Sequence, residues 1–282
     1  MSKTAAQTTA ADDTFAYDEV PYESFSYGHT HPQNLAMIGT LFGMNPADIK
    51  TARVLELGCA AGGNILPLAA MYPESTFLGV DLSRAQIDEG VADIKALGLK
   101  NIKLEVMDIL NFPAKAGEFD YIICHGILSW VPAGVQDAIF EIFQRHLSPN
   151  GMAMVSYNCL PGWSAVRGLR EMMLFHTSRF PNPKDRVLQA RAFLDFVHDN
   201  TPASNTTYKQ MIDTERQTLK KANDSYLFHD HLEQNNTPFY LHETVTKAVG
   251  QGLQYVGDTS IPSMFLGNLP PEAAQKLGAL NN

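Results

Sequence analysis

A glycine-rich turn that directly follows a short apolar run constrains this chain more than any other feature. Residues 54–57 predict a buried strand, the turn beginning at Gly58 predicts a close backbone approach to a ligand, and residues 65–70 predict a helix. In an open parallel sheet, ligands bind outside the carboxyl ends of the strands, where this turn would lie. The spacing Gly58-x-x-x-Gly62 differs from G-x-G-x-x-G, which argues against a nicotinamide dinucleotide.

Acidic residues accompany this turn and the next two predicted strands. Glu56 stands two positions before Gly58, where a carboxylate would repel a pyrophosphate and attract a cationic group. Thr76–Asp81 predicts a second strand, and Asp81 follows Gly58 at close to the roughly 20-residue spacing that lets an acid reach ribose hydroxyls. Asp108 comes just after a third predicted strand. Glu56 and Asp81 are therefore candidates for binding one ligand.

Strands alternate with helices along most of the chain. Ile102–Val106, Phe119–Cys124 and residues 152–157 predict the third, fourth and fifth strands, and helices are predicted over residues 84–96 and 135–145. This alternation predicts an α/β fold with a doubly wound, mostly parallel sheet. Apolar residues at helical spacing then predict a helical insertion after the fifth strand.

The chain divides into six predicted segments. Residues 1–16 are polar and predict a disordered tail, and residues 17–50 are aromatic-rich and predict an N-terminal lid. A ligand-binding core over residues 51–160 precedes the helical insertion at 161–238. Residues 239–267 predict a return to the core, as a helix plus a sixth strand, and residues 268–282 a C-terminal tail. We expect the insertion to form a substrate wall or a dimer surface.

Composition argues against several classes of function. The net charge is −9, and the sequence indicates no clustered basic face of the kind that nucleic-acid binding needs. No run approaches the ~18 apolar residues that span a bilayer, and the polar start is no signal peptide. The three cysteines predict small buried residues in a reducing cytoplasm. His229, His231 and His242 lack the further ligands of a metal site, so no metal is expected.

Several sequence blocks resemble a known family. The pattern Glu-x-Gly-x-x-x-Gly, followed by Gly-x-Asp-Leu-Ser, is similar to the first two motifs of class I S-adenosylmethionine-dependent methyltransferases. A narrower resemblance, to those carrying a methyltransferase regulatory domain, rests on blocks over residues 17–22, 30–32, 56–64, 119–126, 156–158, 161–163 and 219–227. That group includes bacterial protein-lysine N-methyltransferases that act on outer-membrane proteins.

The resemblance implies S-adenosylmethionine as cofactor and assigns roles to matching residues. Glu56 would meet the amino group of the cofactor or neighbouring backbone, Asp81 the ribose hydroxyls and Asp108 the adenine. Tyr22, Tyr27 and His31 could cover the ligand, although aromatic residues packed outside the sheet explain them equally well. The predicted cofactor-binding residues are Tyr27, His31, Glu56, Gly58, Cys59, Ala60, Gly62, Asn64, Asp81, Leu82, Met107, Asp108, Ile109, His125 and Gly126.

Catalytic residues are harder to predict, because an SN2 methyl transfer mainly needs alignment of nucleophile, methyl group and sulfur. His125, at the end of the fourth strand, could accept a proton or orient the nucleophile. A structural histidine beneath the cofactor is the alternative. Tyr157 and Asn158 could form a wall around a target amine.

Three functions stay open at this stage. The first is methyl transfer to a protein, with lysine as the acceptor, and the second is methyl transfer to a small molecule or peptide natural product. The third is a cofactor-binding module without catalysis. A homodimer through the apolar helices after Trp163 is a further open alternative.

Overall fold

A five-stranded parallel sheet forms the centre of the chain in the computed structural model, which describes residues 22–281. The predicted tail at 1–16, the first part of the predicted lid at 17–21 and Asn282 lie outside the described residues. The strand order is β3-β2-β1-β4-β5. The strands are β1 Arg53–Leu57, β2 Thr76–Asp81, β3 Ile102–Val106, β4 Phe119–Cys124 and β5 Leu147–Val155.

Helices cover both faces of this sheet and continue beyond it. Pro32 opens the first one at its N1 position, where a missing N–H costs nothing. The helices are α1 Pro32–Leu41, α2 Leu66–Met71, α3 Arg84–Leu97, α4 Ala133–His146, α5 Trp163–Thr177, α6 Pro183–Asn200, α7 Thr206–Lys221, α8 Leu241–Gly250 and α9 Pro271–Gly278. Shorter turns are the α-helical turn Asp224–Tyr226, the π-helix Leu227–His231 and the 3-10 helices Gly28–Thr30, Ile49–Thr51, Ile109–Asn111, Leu128–Trp130, Ile261–Met264, Leu266–Asn268 and Ala279–Asn281.

The sheet is doubly wound, as predicted. β1 lies at its centre and pairs in parallel with β2 on one side and β4 on the other. Both faces of β1 are covered, so Val54, Leu55 and Leu57 are fully buried, and even the charged Glu56 is buried with them. The strand order reverses at β1, so the crevice for a ligand opens at the carboxyl ends of β1 and β4.

The edge of the sheet differs from the prediction in two ways. β5 begins at Leu147, five residues before the predicted start at 152. Phe119 pairs with Leu147, whereas Tyr121 pairs with Met152, so the residues just before 152 form an irregularity inside the strand rather than a turn before it. The predicted sixth strand is wrong, since residues 253–258 run without strand pairing. Leu253 and Val256 still pack on the two core clusters, so their spacing reflects packing rather than a sheet ladder.

The predicted helical insertion is present and has a core of its own. Helices α5, α6 and α7 pack around buried residues such as Leu169, Met173, Leu194 and Ile212, and the π-helix joins them through Leu227. None of the helices in the described part of the chain is long and apolar enough to cross a membrane.

The predicted burial of the three cysteines holds for two of them. Cys59 and Cys124 are buried, whereas Cys159 is exposed. Cys159 lies beyond the end of β5, where the chain has already left the sheet.

Candidate active site

A cavity of about 270 Å³ lies at the carboxyl ends of the strands. Its floor comes from the residues at and after the ends of β1, β2, β3 and β4. Residues 22–27 form one wall, residues 130–135 at the start of α4 form another, and residues 229–233 of the insertion form a third. All the predicted cofactor-binding residues line the cavity except His31 and Gly62.

The glycine-rich turn lines the cavity in a backbone conformation that requires glycine at its first position. Gly58 has φ +72°, and a Cβ atom there would stand 2.3 Å from Cδ1 of Ile127. The backbone N–H of Ala60 donates to Oδ2 of Asp81 at 2.8 Å, and that of Ser83 donates to Oδ1 at 2.9 Å. Asp81 therefore holds two loops in place, besides facing the cavity as a ribose-binding candidate.

Glu56 is the most unusual group in the cavity. Its side chain is only 3% exposed, and Oε1 accepts a hydrogen bond from Nδ2 of Asn64 at 2.7 Å. Oε2 is buried and accepts no hydrogen bond within residues 22–281. Burial raises the pKa of Glu56 to about 8, the nearby charge of Asp81 adds to this rise, and the Asn64 hydrogen bond opposes it. A cationic donor in the cavity would satisfy Oε2.

Asn64 also fixes the N-terminal wall. Its Oδ1 accepts from the backbone N–H of Tyr27 at 3.0 Å and from Oγ1 of Thr30 at 3.1 Å. A second link joins Gly63 to Ser24, whose Oγ accepts the glycine N–H at 2.8 Å. One amide thus couples the Glu56 carboxylate to the segment that carries Tyr27, and Tyr27 lines the cavity.

The third acidic candidate follows β3. Oδ1 of Asp108 accepts the backbone N–H of Leu110 at 2.9 Å, and this contact begins the 3-10 helix Ile109–Asn111. Met107, Asp108 and Ile109 all line the cavity. Carboxylates thus face the ligand from the ends of neighbouring parallel strands.

His125 stands at the end of β4 with its orientation fixed. Its Nδ1 lies 2.8 Å from Oγ of Ser156, and the same Oγ accepts the backbone N–H of Gly126 at 2.7 Å. The ring centroid lies 4.3 Å from that of Tyr27 and 4.7 Å from that of His29. Burial and, to a lesser extent, the proximity of His29 together lower the pKa of His125 to about 4. His125 is therefore neutral near pH 7, able to accept a hydrogen bond but a weak proton acceptor.

The structure does not bring two of the predicted cofactor-binding residues to the cavity. Nδ1 of His31 accepts the backbone N–H of Gln33 at 3.0 Å, so His31 caps α1. Gly62 has φ +80°, and a Cβ atom there would lie 3.0 Å from Leu104. Gly62 thus serves the packing of the turn on the sheet.

The predicted catalytic residues Tyr157 and Asn158 also lie away from the cavity lining. The Tyr157 ring packs edge-on against Phe239 at 6.0 Å. The backbone of Asn158 donates to Oγ of Ser129 at 2.9 Å and accepts from the N–H of Phe239 at 2.9 Å. Because β5 ends at Val155, the chain turns here towards residue 239 instead of the crevice.

The insertion contributes a wall of the cavity, as the sequence led us to expect, but sequence reasoning did not identify the residues that form it. His229 and Asp230 line the cavity from the π-helix, and Glu233 lines it just after the π-helix ends. No hydrophobic periodicity predicts this, because a π-helix departs from the helical repeat. The lining contains no Lys or Arg among the described residues, whereas its carboxylates are Glu23, Glu56, Asp81, Asp108, Asp230 and Glu233. In residues 22–281, no group of three His, Cys, Asp or Glu side chains could hold a metal ion.

Comparisons with known proteins agree with this architecture. A family model described as "Methyltransferase domain" matches residues 54–151, and one described as "Predicted methyltransferase regulatory domain" matches residues 223–282. The uncharacterized protein RP028 of Rickettsia prowazekii is 43% identical over 233 residues, which are 83% of this chain and 93% of that protein. PKMT2 from Rickettsia typhi, solved in complex with AdoHcy, is 45% identical with a TM-score of 0.84, covering 93% of this chain and 50% of that one.

This chain spans about half the length of some of its relatives. The uncharacterized protein RP789 of Rickettsia prowazekii is 49% identical over 274 residues, which are 97% of this chain but 49% of that protein. The structural match to PKMT2 likewise covers 50% of the PKMT2 chain.

Proposed function

Because this chain belongs to the class I S-adenosylmethionine-dependent methyltransferases, we propose that it transfers a methyl group to a lysine amine of a protein. The observation that carries the proposal is the buried, unpartnered Oε2 of Glu56 in a cavity with several acidic groups and, among the described residues, no basic side chain. Such a cavity favours cationic ligands, and both the cofactor and a lysine carry a positive charge.

The residues at the strand ends suit the cofactor. Glu56 would accept from its amino group, Asp81 would face the ribose hydroxyls, and Asp108, Met107 and Ile109 would hold the adenine. When bound, S-adenosylmethionine would supply a methyl group on a sulfonium. A neutral amine attacking that methyl group in line would form the N–C bond as the C–S bond breaks, S-adenosylhomocysteine would leave, and the methylated ammonium would release a proton to solvent. The protein contributes orientation and exclusion of water, which is what an SN2 step needs most.

His125 is proposed to position the acceptor rather than to remove its proton. With its pKa lowered to about 4, the neutral imidazole accepts a hydrogen bond at neutral pH. Tyr27 packs against the ring, and in the tautomer in which Nδ1–H donates to Oγ of Ser156, Nε2 is the hydrogen-bond acceptor and has a defined direction. A well-oriented acceptor of this kind restrains an amine without competing for its proton.

A lysine acceptor is supported over an anionic metabolite by electrostatics. A carboxylate or phosphate substrate would meet repulsion from the acidic lining, and no basic residue of the described lining would offset it. PKMT2 from Rickettsia typhi, with AdoHcy bound, shares this fold at 45% identity, which supports a related acceptor.

The test is radiolabelled methyl transfer from S-adenosylmethionine to lysine-bearing proteins, with unfolded outer-membrane proteins included. Acid hydrolysis then identifies the labelled amino acid. Label in methyl-lysine supports the proposal. Label only in small amines would favour the small-molecule alternative, and cofactor binding without any transfer would favour a non-catalytic module.

A homodimer through the insertion stays a prediction of the same proposal. Phe175, Leu188 and Phe196 are exposed on α5 and α6, where they would contribute apolar area to an interface. Sedimentation equilibrium of the chain and of a Leu188→Glu, Phe196→Glu double variant tests it. A dimer that the double variant loses supports the insertion as the interface, and a monomeric wild type contradicts it.

A further inference from the structure

The lining of the cavity comes partly from the strand ends and partly from the insertion, and the proposed cofactor contacts account only for the strand ends. Glu56, Asp81 and Asp108 belong to the strand ends. Asp230 reaches the same cavity from the opposite side, on the π-helix of the insertion. A ligand lying along the strand ends would leave the insertion side facing whatever enters next to it.

The π-helix divides its residues between two environments. Leu227, Phe228 and His231 are buried in the insertion, and Nε2 of His231 lies 2.6 Å from Oε1 of Glu215. Asp230, between them, lines the cavity. The wider turn of a π-helix changes the direction of successive side chains, which is how one acid leaves an otherwise buried segment. Such a local departure from the α-helix is frequent at functional sites.

The backbone of Asp230 is held while its carboxylate remains available. Nε of Arg170 donates to the carbonyl oxygen of Asp230 at 3.3 Å, which anchors the main chain. Within residues 22–281 the structure records no hydrogen bond or side-chain ion pair to the Asp230 carboxylate itself. Burial raises the pKa of this carboxyl to about 6, opposed by the charges of His231 and Arg170, so the group is ionised above that pH.

Aromatic residues line the same cavity as this carboxylate, namely Tyr22, Tyr27 and Trp130. Burial and, to a lesser extent, the negative charge of Asp230 raise the pKa of both tyrosines. The charge of Glu56 also raises the pKa of Tyr27, so this phenol is within electrostatic range of both acids. Aromatic faces beside a carboxylate attract an alkylammonium, because each face adds cation–π attraction to the ion pair.

From this arrangement we infer that Asp230 binds the ammonium group of the incoming lysine, which then loses a proton to solvent to become the nucleophilic amine, and thereby selects a cationic acceptor. This inference rests on the proposed function, since it names the acceptor side of that site. It assigns the regulatory insertion a direct part in acceptor recognition. Glu56 then binds the amino group of the cofactor, and Asp230 binds the amino group of the substrate.

The experiment uses the two tryptophans as reporters. Nε1 of Trp163 donates to Asn236 at 3.0 Å, whereas Trp130 lines the cavity, so the two indole signals differ in environment. The protein, labelled with ¹⁵N-tryptophan and saturated with S-adenosylhomocysteine, is titrated with N-acetyl-lysine methylamide and with its norleucine analogue, which lacks the ammonium. The Trp130 signal gives the Kd of each.

Wild-type protein should prefer the lysine compound, and Asp230→Asn should reduce that preference by about tenfold or more, as loss of a charge-assisted hydrogen bond implies. Asp230→Ser provides a second neutral variant should the Asn variant fail to fold. Asp185→Asn, an exposed carboxylate of the same insertion, should leave the preference unchanged. A purely structural role would weaken both compounds equally. Equal preference in wild type and Asp230→Asn would overturn the inference, as would a wild type without any preference.

S-adenosylhomocysteine affinity on the same samples separates this inference from the proposed function. If the wild type does not bind that compound, the proposed function fails, and the amine titration of the cofactor-free protein still decides the role of Asp230. If it binds equally well to wild type and Asp230→Asn, any lost lysine preference belongs to the acceptor side alone, which supports the inference.

Discussion

Replacing Glu56 by Gln should stabilise the ligand-free protein at alkaline pH while removing its affinity for the cofactor. The Gln side chain keeps an oxygen that can accept from Asn64, and it carries no charge. In the wild type the carboxyl is buried with one oxygen unpartnered, so ionising it is costly. The variant therefore removes the free-energy cost of ionising this buried carboxyl, a cost that the wild type carries because the charge binds the ligand.

The magnitude follows from the pKa of Glu56. A carboxyl whose folded-state pKa is raised favours the fold fully below its unfolded pKa and loses that contribution as pH rises towards the folded value. The rise from 4.5 to about 8 corresponds to on the order of 5 kcal/mol above pH 8, at roughly 1.36 kcal/mol per unit. Water entering the cavity beside Oε2 reduces this, so we expect a gain of about 2 kcal/mol, or roughly 5 °C in Tm.

The assay is urea unfolding of the ligand-free wild type, Glu56→Gln and the exposed control Glu74→Gln at pH 5 and pH 8. Glu56→Gln should be clearly more stable than wild type at pH 8 and nearly equal to it at pH 5, whereas Glu74→Gln should match the wild type at both. A Glu56→Gln protein that is destabilised equally at both pH values would refute the reasoning, because it would mean that the carboxylate contributes to the fold as an ordinary hydrogen-bond acceptor.

Three other outcomes follow from the geometry. Asn64→Ala removes the bonds to Glu56, Tyr27 and Thr30 and should cost about 2–4 kcal/mol in urea unfolding, with faster proteolysis of the N-terminal segment; unchanged stability would contradict the coupling. Gly58→Ala forces a Cβ atom against Ile127 at positive φ and should lower both Tm and S-adenosylhomocysteine affinity, so a fully active, stable variant would argue against a tight turn. NMR titration of His125 should show a pKa of about 4; a midpoint near 6.5 would mean that the ring is solvated.

Much of the sheet could be predicted because its inner strands are largely buried and its edge strand β3 alternates in character. β2, β3 and β4 have the predicted bounds: β2 and β4 are mostly apolar runs of six residues, whereas β3 begins with buried Ile102 and Leu104 on either side of exposed Lys103. The sixth strand failed on the same signal: residues 252–257 form a short, mostly apolar run between glycines, but Leu253 and Val256 pack on the core without strand pairing. Periodicity predicts burial, and strand pairing needs a partner edge that the sequence does not specify.

The site divides in the same way. Glu56, Asp81 and Asp108 were predictable because parallel strand ends bring local sequence positions to one place. The contribution of Asp230 depends on how a distant insertion folds back over the sheet, and its π-helix lies outside any regular repeat. Tyr157 and Asn158 were assigned to the crevice on the assumption that β5 continues to that point, whereas it ends at Val155.

Asp81, although a ribose-binding candidate, is a poor position for a binding control in this structure. Its two carboxylate oxygens accept the backbone N–H groups of Ala60 and Ser83. Asp81→Ala would therefore loosen the glycine-rich turn as well as remove a ribose contact. Glu56→Gln keeps the shape of the side chain and changes only its charge and one hydrogen-bonding atom, so it separates binding from folding.

The most direct measurement of the central claim is calorimetric titration of the purified chain with S-adenosylhomocysteine, in parallel with Glu56→Gln and Glu74→Gln. We expect wild type and Glu74→Gln to bind S-adenosylhomocysteine. Glu56→Gln should bind it at least about tenfold more weakly, because the ligand amine loses its charged acceptor. Undetectable binding by the wild type, or equal affinity in all three proteins, would contradict the account of this cavity as a cofactor site organised around Glu56.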